Sequence, residues 1–207
     1  MHGFIITGTD TDVGKTVFAA ALAGALNGYY WKPVQAGLDD GDDTQKVASL
    51  SGLPADHILP EAYRLNTACS PHRAAAIDGI EIDTARLALP NVPGTLIVEG
   101  AGGALVPLRP DWLYSDQFAV WNKPVIIVAR TALGTINHSL LTIEALRARD
   151  IPIHGIAFIG DAHSDSEDII ADIGGVKRLG RLPYLSVLSA ETLKASFADN
   201  FDVKDFL

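Results

Sequence analysis

Short runs of consecutive apolar residues recur along this chain and alternate with segments that have helical spacing. The runs cover residues 4–7, 29–31, 95–98, 125–129 and 153–159, and the helical segments cover residues 15–26, 43–50, 136–149 and 193–198. Strands without polar alternation are typical of a parallel sheet that is covered on both faces. The pattern therefore predicts an α/β fold with three layers, α/β/α, around a mostly parallel central sheet.

The length and composition of the chain fit one domain or a tight pair of domains. The chain has 207 residues, of which 48% are hydrophobic and 20% charged, and a domain typically takes about 150 residues. We expect one domain over residues 1–207. Cys69 is the only cysteine, so no internal disulfide can form, and this indicates a reducing, cytoplasmic setting.

The charge distribution bears on the kind of partner. The formal net charge is -9, and the basic residues are scattered rather than clustered. An acidic surface argues against nucleic acid or an anionic membrane as a partner. The apolar run over residues 125–129 is far too short to span a bilayer.

A glycine-containing loop follows the first predicted strand directly. Residues 8–16 read GTDTDVGKT, and the closing Gly14-Lys15-Thr16 matches the phosphate-binding loop, or P-loop, although five residues rather than four separate the glycines. In such a loop the N–H groups at the helix start bind phosphate, the lysine reaches the β- and γ-phosphates, and the Thr16 hydroxyl can ligate Mg²⁺. A chance match is the alternative, but the strand before and the helix after are the context that the motif requires.

Two further charged residues follow predicted strands. Lys32 comes after residues 29–31, and Glu99 comes after residues 95–98 and precedes four small residues. The carboxyl ends of parallel strands meet at one edge of the sheet. We therefore expect Lys32 to reach the same anionic site as Lys15, and Glu99 to lie where a Mg²⁺ ligand is needed. A solvated lysine and a capping glutamate are the alternatives.

Four aspartates crowd the loop that leads into the helix predicted over residues 43–50 and the first position of that helix. They are Asp39, Asp40, Asp42 and Asp43. Most members of such a cluster are usually solvated, but one of them can supply a second carboxylate to Mg²⁺.

The segment LGTINH, residues 133–138, lies between a predicted strand and a long helix. Thr135 or Asn137 could cap that helix with its side chain. The free N–H groups at the helix start could instead hold a substrate carboxylate.

Taken together, these segments resemble the dethiobiotin synthetase family, the ATP-dependent carboxylases of biotin synthesis. The match covers nearly the whole chain in order. It rests on GTDTDVGKT at residues 8–16, KPV at 32–34, SPH at 70–72, VEGAGG at 98–103 and LGTINH at 133–138. The five-residue gap between the P-loop glycines is this family's form.

The resemblance implies a P-loop NTPase-like fold and a particular reaction. ATP and Mg²⁺ would support the carboxylation and ring closure of 7,8-diaminopelargonic acid with CO₂, giving dethiobiotin, ADP and phosphate. The implied intermediates are a carbamate and a carbamic-phosphoric anhydride. The family also implies a homodimer with the diamine bound across the interface.

The resemblance also assigns residue roles. Catalytic roles fall on Thr11, Lys15 and Lys32. Nucleotide contacts fall on Asp12, Val13, Gly14, Lys15, Thr16 and Val17, and on Pro183, Tyr184 and Leu185 beside the base. Substrate contacts fall on Thr11, Asp12, Lys32, Gly102, Gly134 and Asn137. Thr16, Glu99 and one loop aspartate, Asp43 in preference to Asp42, would hold Mg²⁺.

Three positions depart from the family's usual pattern. Members often have glutamate where Asp12 stands and a hydroxyl residue where Ala36 stands. Ile159 replaces the usual base-reading asparagine, which predicts looser discrimination among nucleoside triphosphates.

Two alternatives stay open, one an enzyme of the same fold and the other a protein of a different functional class. A ParA/MinD-like ATPase carries a signature lysine five positions before the lysine of the GKT motif, where this chain has Asp10. A non-catalytic nucleotide-sensing module tends to lose the catalytic lysine or the metal-binding acid, whereas Lys15, Lys32 and Glu99 are all present.

Overall fold

A computed structural model describes residues 2–38 and 41–207 of the chain. Within these residues it contains eleven β-strands and seven α-helices. The strands are β1 (Gly3–Gly8), β2 (Tyr29–Trp31), β3 (Val34–Ala36), β4 (Ile58–Leu59), β5 (Tyr63–Leu65), β6 (Leu96–Gly103), β7 (Pro107–Arg109), β8 (Trp112–Leu113), β9 (Val125–Arg130), β10 (Ile153–Ile159) and β11 (Arg178–Leu182). The helices are α1 (Lys15–Ala25), α2 (Asp43–Leu50), α3 (Pro71–Asp78), α4 (Tyr114–Trp121), α5 (Thr135–Arg147), α6 (Ser164–Gly174) and α7 (Ala190–Asn200).

Seven strands form the central sheet, in the order β11-β10-β9-β1-β6-β2-β4. Every neighbouring pair in this sheet is parallel. Two small sheets accompany it, a parallel pair of β3 with β5 and an antiparallel pair of β7 with β8. The loops after β1, β6 and β9 therefore emerge side by side at one edge of the sheet.

Successive residues of the central strands bury opposite faces. In β1, Phe4 and Ile6 pack into one apolar cluster with Phe18 of α1 and Phe197 of α7. Ile5 packs into the other cluster, among side chains of α4, α5 and α6. Since both faces are covered by helices, the strands carry no polar side, and the predicted three-layer α/β/α arrangement is confirmed.

The sequence located several of the main elements, missed others, and did not give all of the boundaries. The expected strands over residues 29–31 and 153–159 and the expected helix over residues 43–50 coincide with β2, β10 and α2. The strand expected to end at residue 98 continues to Gly103, which pairs with Gly8 of β1 after a register shift. The expectation that Glu99 ends its strand was therefore wrong, because a long-range pairing extends β6 through the small residues.

No helix among the described residues 2–38 and 41–207 combines the length and the apolar composition needed to cross a bilayer.

Candidate active site

The P-loop runs from the end of β1 to the start of α1. Gly14 precedes the helix with φ 93°, and no side chain caps the helix start. A Cβ atom on Gly14 would lie 3.0 Å from Cγ1 of Ile159, so the backbone conformation and the space both favour glycine here. The first N–H groups of α1 are thus left to bind an anion.

The Lys15 side chain lies inside this loop. It is 7% exposed, and its ammonium donates to the backbone carbonyl of Asp10 at 2.9 Å. Burial, and then the neighbouring ammonium of Lys32, lowers the pKa of Lys15 to about 8, against the opposing effect of Glu99. The charge on Lys15 therefore lacks full compensation, and a phosphate group would supply it.

Three oxygen atoms from distant parts of the chain converge next to Lys15. Oγ1 of Thr16 lies 2.9 Å from Oδ1 of Asp43 and 2.8 Å from Oε1 of Glu99. A hydroxyl has one proton, so it can donate to only one of these carboxylates at a time. A hydroxyl and two carboxylates form a donor set that fits Mg²⁺, which binds hard oxygen ligands and keeps several waters.

Lys32 lies against the same carboxylates. Its Nζ atom is 2.7 Å from Oδ2 of Asp43, 3.0 Å from Oε1 of Glu99 and 3.0 Å from the carbonyl oxygen of Gly100. These contacts match the three N–H donors of an ammonium group. Burial alone lowers the pKa of Lys32, but the charges of Glu99 and Asp43 raise it more, so the pKa lies well above its ordinary value. Lys32 is 2% exposed, and the alternative of a solvated surface lysine was wrong.

Glu99 is fully buried, and its second oxygen also has a partner. The hydroxyl of Tyr30 donates to Oε2 at 2.8 Å. Burial, together with the charges of Glu99 and Asp43, raises the pKa of Tyr30 well above its ordinary value, so this phenol stays protonated and remains a donor. Sequence reasoning missed Tyr30, although a hydroxyl between two aromatic residues of a buried strand is a usable signal.

The structure distinguishes between the adjacent aspartates. Asp42 precedes α2 and caps it, accepting from the backbone N–H of Gln45 at 2.6 Å and pairing with Arg64 at 2.8 Å. Asp43 is the first residue of α2 and points toward Thr16 and Lys32. Asp39 and Asp40 lie outside the described residues.

The remaining loop candidates differ in exposure. Thr11 and Asp12 are exposed, and Asp12 has φ 57°. Val13 is buried, and Val17 is half-buried on α1.

Thr11 borders a cavity of about 460 Å³. The cavity is lined by residues of the P-loop, of the segment after β6 and of α5, among them Thr11, Leu105, Val106, His138 and Leu141. Gly102 is adjacent, because a Cβ atom placed on it would lie 3.5 Å from Oγ1 of Thr11 and 2.8 Å from Val106. Its φ of 63° is another reason for glycine at this position.

The start of α5 differs from one expectation. Gly134, with φ 93°, precedes the helix, and no side chain caps it. Thr135 is buried and Asn137 exposed within the first helical turn. A side-chain cap from Thr135 or Asn137 was therefore wrong, because both residues are already helical, and the first N–H group of α5, that of Thr135, donates to the carbonyl oxygen of Ala132 at 3.1 Å.

The segment expected to flank the base follows β11. Pro183 and Leu185 are half-buried, and Tyr184 is 69% exposed. A Cβ atom on Gly160 would lie 3.5 Å from the Tyr184 ring, so the ring borders the end of β10. The N–H of Gly160 donates to Leu182, and its carbonyl accepts from Arg181. Both backbone groups of Gly160 are thus already bonded.

Comparison with solved structures places the fold. A ParA family ATPase from Chlorobium tepidum TLS superposes with a TM-score of 0.55 at 17% identity, covering 98% of this chain and 91% of that one. MinD from Aquifex aeolicus gives 0.53 at 14% identity, with 96% of each chain covered. A family model described as an AAA domain matches residues 2–192. At these identities the structural likeness shows the fold alone, and together with the loop geometry it defines a P-loop nucleotide-binding protein.

Sequence relatives are much closer. A protein of Novosphingobium aromaticivorans named ATP-dependent dethiobiotin synthetase BioD is 65% identical over 206 residues, which is 100% of each chain. A Rhodopseudomonas palustris protein of the same name is 63% identical over 202 residues, covering 98% of this chain and 95% of that one. The chain belongs to the ATP-dependent dethiobiotin synthetase family.

Proposed function

We propose that this chain catalyses the ATP-dependent formation of dethiobiotin from 7,8-diaminopelargonic acid and CO₂. The relatives that share its full length bear the name of this activity. The observation that carries the proposal is the convergence of Lys32 with Thr16, Asp43 and Glu99 beside the P-loop. A second buried lysine exceeds what nucleotide binding alone needs, and it suits a reaction between two anions.

In this reaction one amine of the diamine adds to CO₂ and loses a proton to give a carbamate. A carbamate oxygen attacks the γ-phosphorus of ATP, and ADP leaves. The second amine attacks the carbamoyl carbon and loses a proton, which closes the ureido ring and expels phosphate. The protein has little covalent chemistry to perform, so its contribution is positioning and charge stabilisation.

Charge neutralisation falls to the two buried lysines. Lys15, at the helix start with Gly14 and Val13, would neutralise the phosphoryl group as it transfers, and Asp12 and Val17 complete the nucleotide side of the loop. Lys32 would hold the carbamate. The raised pKa of Lys32 keeps its ammonium charged at neutral pH, so it can offset the repulsion between carbamate and phosphate.

Thr16, Asp43 and Glu99 would hold Mg²⁺, which would neutralise negative charge on the phosphate groups. Asp43 is preferred to Asp42 because the carboxylate of Asp42 is committed to Gln45 and Arg64.

The diamine would bind on the side of the loop formed by Thr11, Asp12 and Gly102. We propose a homodimer, in which Gly134 and Asn137 of a second copy reach the substrate carboxylate. Apolar side chains at the cavity support an interface there, since Leu105 and Leu141, which line it, are each at least half exposed.

The nucleotide base would lie against Pro183, Tyr184 and Leu185. The Ile159 side chain offers no hydrogen bond to a base, and the N–H of Gly160 already donates to Leu182, so stacking against Tyr184 would supply part of the base binding. The proposal therefore includes use of other nucleoside triphosphates besides ATP. It also includes a single catalytic domain over residues 1–207 and a cytoplasmic location.

Phosphate release in the presence of ATP, Mg²⁺, bicarbonate and 7,8-diaminopelargonic acid tests the proposal, with each component omitted in turn. Release should require the diamine and CO₂ together and should yield one dethiobiotin per phosphate. Release that is indifferent to the diamine would contradict the substrate assignment while leaving the nucleotide site intact.

A further inference from the structure

Gln35 is a buried polar residue in the middle of the short strand β3, between Val34 and Ala36. It is 6% exposed. Its Nε2 group donates to the carbonyl oxygens of Ala36 at 3.3 Å and Gly37 at 3.1 Å. Its Oε1 atom accepts from the backbone N–H of Asp43 at 3.1 Å. The side chain thus joins the end of β3 to the start of α2.

The orientation of this amide is fixed by its partners. A backbone N–H must face the oxygen of the side chain, and carbonyl oxygens must face its nitrogen, so exchanging Oε1 and Nε2 would break all three bonds. Both N–H donors of the amide are used. A side chain that only filled space at this position would need neither an amide N–H nor an amide oxygen.

The contact with Asp43 concerns its main chain rather than its carboxylate. The N–H of Asp43 is among the first four of α2, which have no partner inside the helix. Asp42 satisfies a different one, that of Gln45. The carboxylate of Asp43 is shared between Thr16 and Lys32 and would be shared again with a metal ion. The bond from Gln35 does not compete with any of these.

We propose that Gln35 is a positioning residue, which fixes the backbone of Asp43 so that its carboxylate remains at the metal site. This inference rests on the proposed function, in which Asp43 holds Mg²⁺. The same short segment supplies Lys32, so one stretch of chain places both the ammonium and the aspartate that it contacts. Residues behind metal ligands typically contribute about 10–100-fold to metal affinity or activity.

The test compares wild type with Gln35→Met, which is similar in size and has no hydrogen-bonding groups. ATP binding is measured by calorimetry without the diamine, in EDTA and over a range of Mg²⁺ concentrations, and turnover is measured separately. We expect ATP affinity in EDTA to stay within about threefold of wild type. The Mg²⁺ concentration that gives half of the maximal increase in ATP affinity should rise at least tenfold. The kcat at saturating Mg²⁺ should change much less.

Val47→Ala is the matched control. Val47 is a fully buried residue of α2, so its truncation loosens the packing of the helix without touching a bond of Asp43. The control should lower the melting temperature and leave the Mg²⁺ dependence unchanged. Equal Mg²⁺ dependence in wild type and Gln35→Met, or an equal shift in Val47→Ala, would overturn the role of Gln35.

Failure of the metal site and misfolding of the variant can each be told apart from failure of the role proposed for Gln35. If Mg²⁺ does not strengthen ATP binding to wild type, the proposed metal site itself fails, and that outcome is distinct from a failure confined to Gln35. If Gln35→Met does not fold, Gln35→Asn carries the same measurement, because its amide is one methylene too short to hold both contacts. An unchanged Mg²⁺ dependence in that variant would also refute the inference.

Discussion

Lys32→Gln removes a buried positive charge that neutralises two carboxylates. The Lys32 ammonium lies 2.7 Å from Asp43 and 3.0 Å from Glu99, and Glu99 is 0% exposed. Removing one partner of a buried ion pair typically costs about 3–5 kcal/mol. The Asp43 side chain is 25% exposed, so water screens part of its charge. We therefore expect the free energy of unfolding to fall by about 3 kcal/mol at pH 7 in EDTA.

The pH dependence of this loss has a definite sign. The pKa of Lys32 is higher in the folded state than in the unfolded state. Its contribution to the free energy of unfolding is therefore fully present below the unfolded-state pKa and is lost as pH rises through the folded-state pKa. The pKa of Asp43 is lowered, mainly by Lys32 against an opposing effect of burial, so its contribution is present above the unfolded value and is lost as pH falls through the folded value. The difference between wild type and variant should thus be constant near neutrality and shrink at both extremes.

Urea unfolding followed by circular dichroism measures the loss, in EDTA and again with Mg²⁺. Mg²⁺ should restore more stability to the variant than to wild type, because a divalent cation can replace the missing charge. ATP binding should stay largely intact and turnover should be abolished. Lys194→Gln, an exposed lysine of α7, is the control and should change stability by less than about 0.5 kcal/mol. A loss below about 1 kcal/mol in EDTA would refute the charge argument, and retained turnover would remove Lys32 from the catalytic residues.

Three further predictions concern the nucleotide, its base and the interface. Because burial, and then Lys32, lowers the pKa of Lys15 to about 8, ATP affinity should fall as pH rises above that value, with proton uptake on binding detectable by calorimetry in buffers of different ionisation enthalpy. A flat profile would contradict the assignment of Lys15. Because Ile159 offers no hydrogen bond to the base, kcat/KM should favour ATP over CTP and GTP by less than about 100-fold (2.7 kcal/mol). The variant Ile159→Asn should widen this preference for ATP. A larger preference in wild type would show that another group reads the base. Leu141→Asp, on the exposed part of α5, should convert a dimer to monomers in sedimentation velocity and abolish turnover, whereas an intact dimer would place the interface elsewhere.

The elements that the sequence predicted are those encoded locally. The strands of the sheet centre are continuous apolar runs, and α1 is an alanine-rich helix behind a glycine. The helices α3, α4 and α6 were missed, the last because its sequence SDSEDIIADIG contains several residues of low helix propensity. The strand β4 has two residues and was missed as well, since a strand this short depends on its pairing with β2.

The residues of the site also fall into those that a local motif predicted and those that only long-range contacts bring together. The motif placed Lys15 and Thr16 because strand, loop and helix are contiguous there. Lys32 and Glu99 were suggested by the ends of apolar runs, but their contact joins residues 67 positions apart. That Glu99 lies inside β6 rather than at its end followed only from the pairing of Gly103 with Gly8.

By itself, the sequence determined the fold class, the phosphate loop and the family resemblance, because these depend on patterns within a few residues. The tertiary structure alone decided that Asp42 caps α2 and pairs with Arg64, that Tyr30 bonds Glu99, and that Gln35 accepts from the main-chain N–H of Asp43. Each of these contacts depends on the direction in which a helix starts or on the register of strands that meet from distant parts of the chain. Such relations are set by packing, which no local pattern specifies.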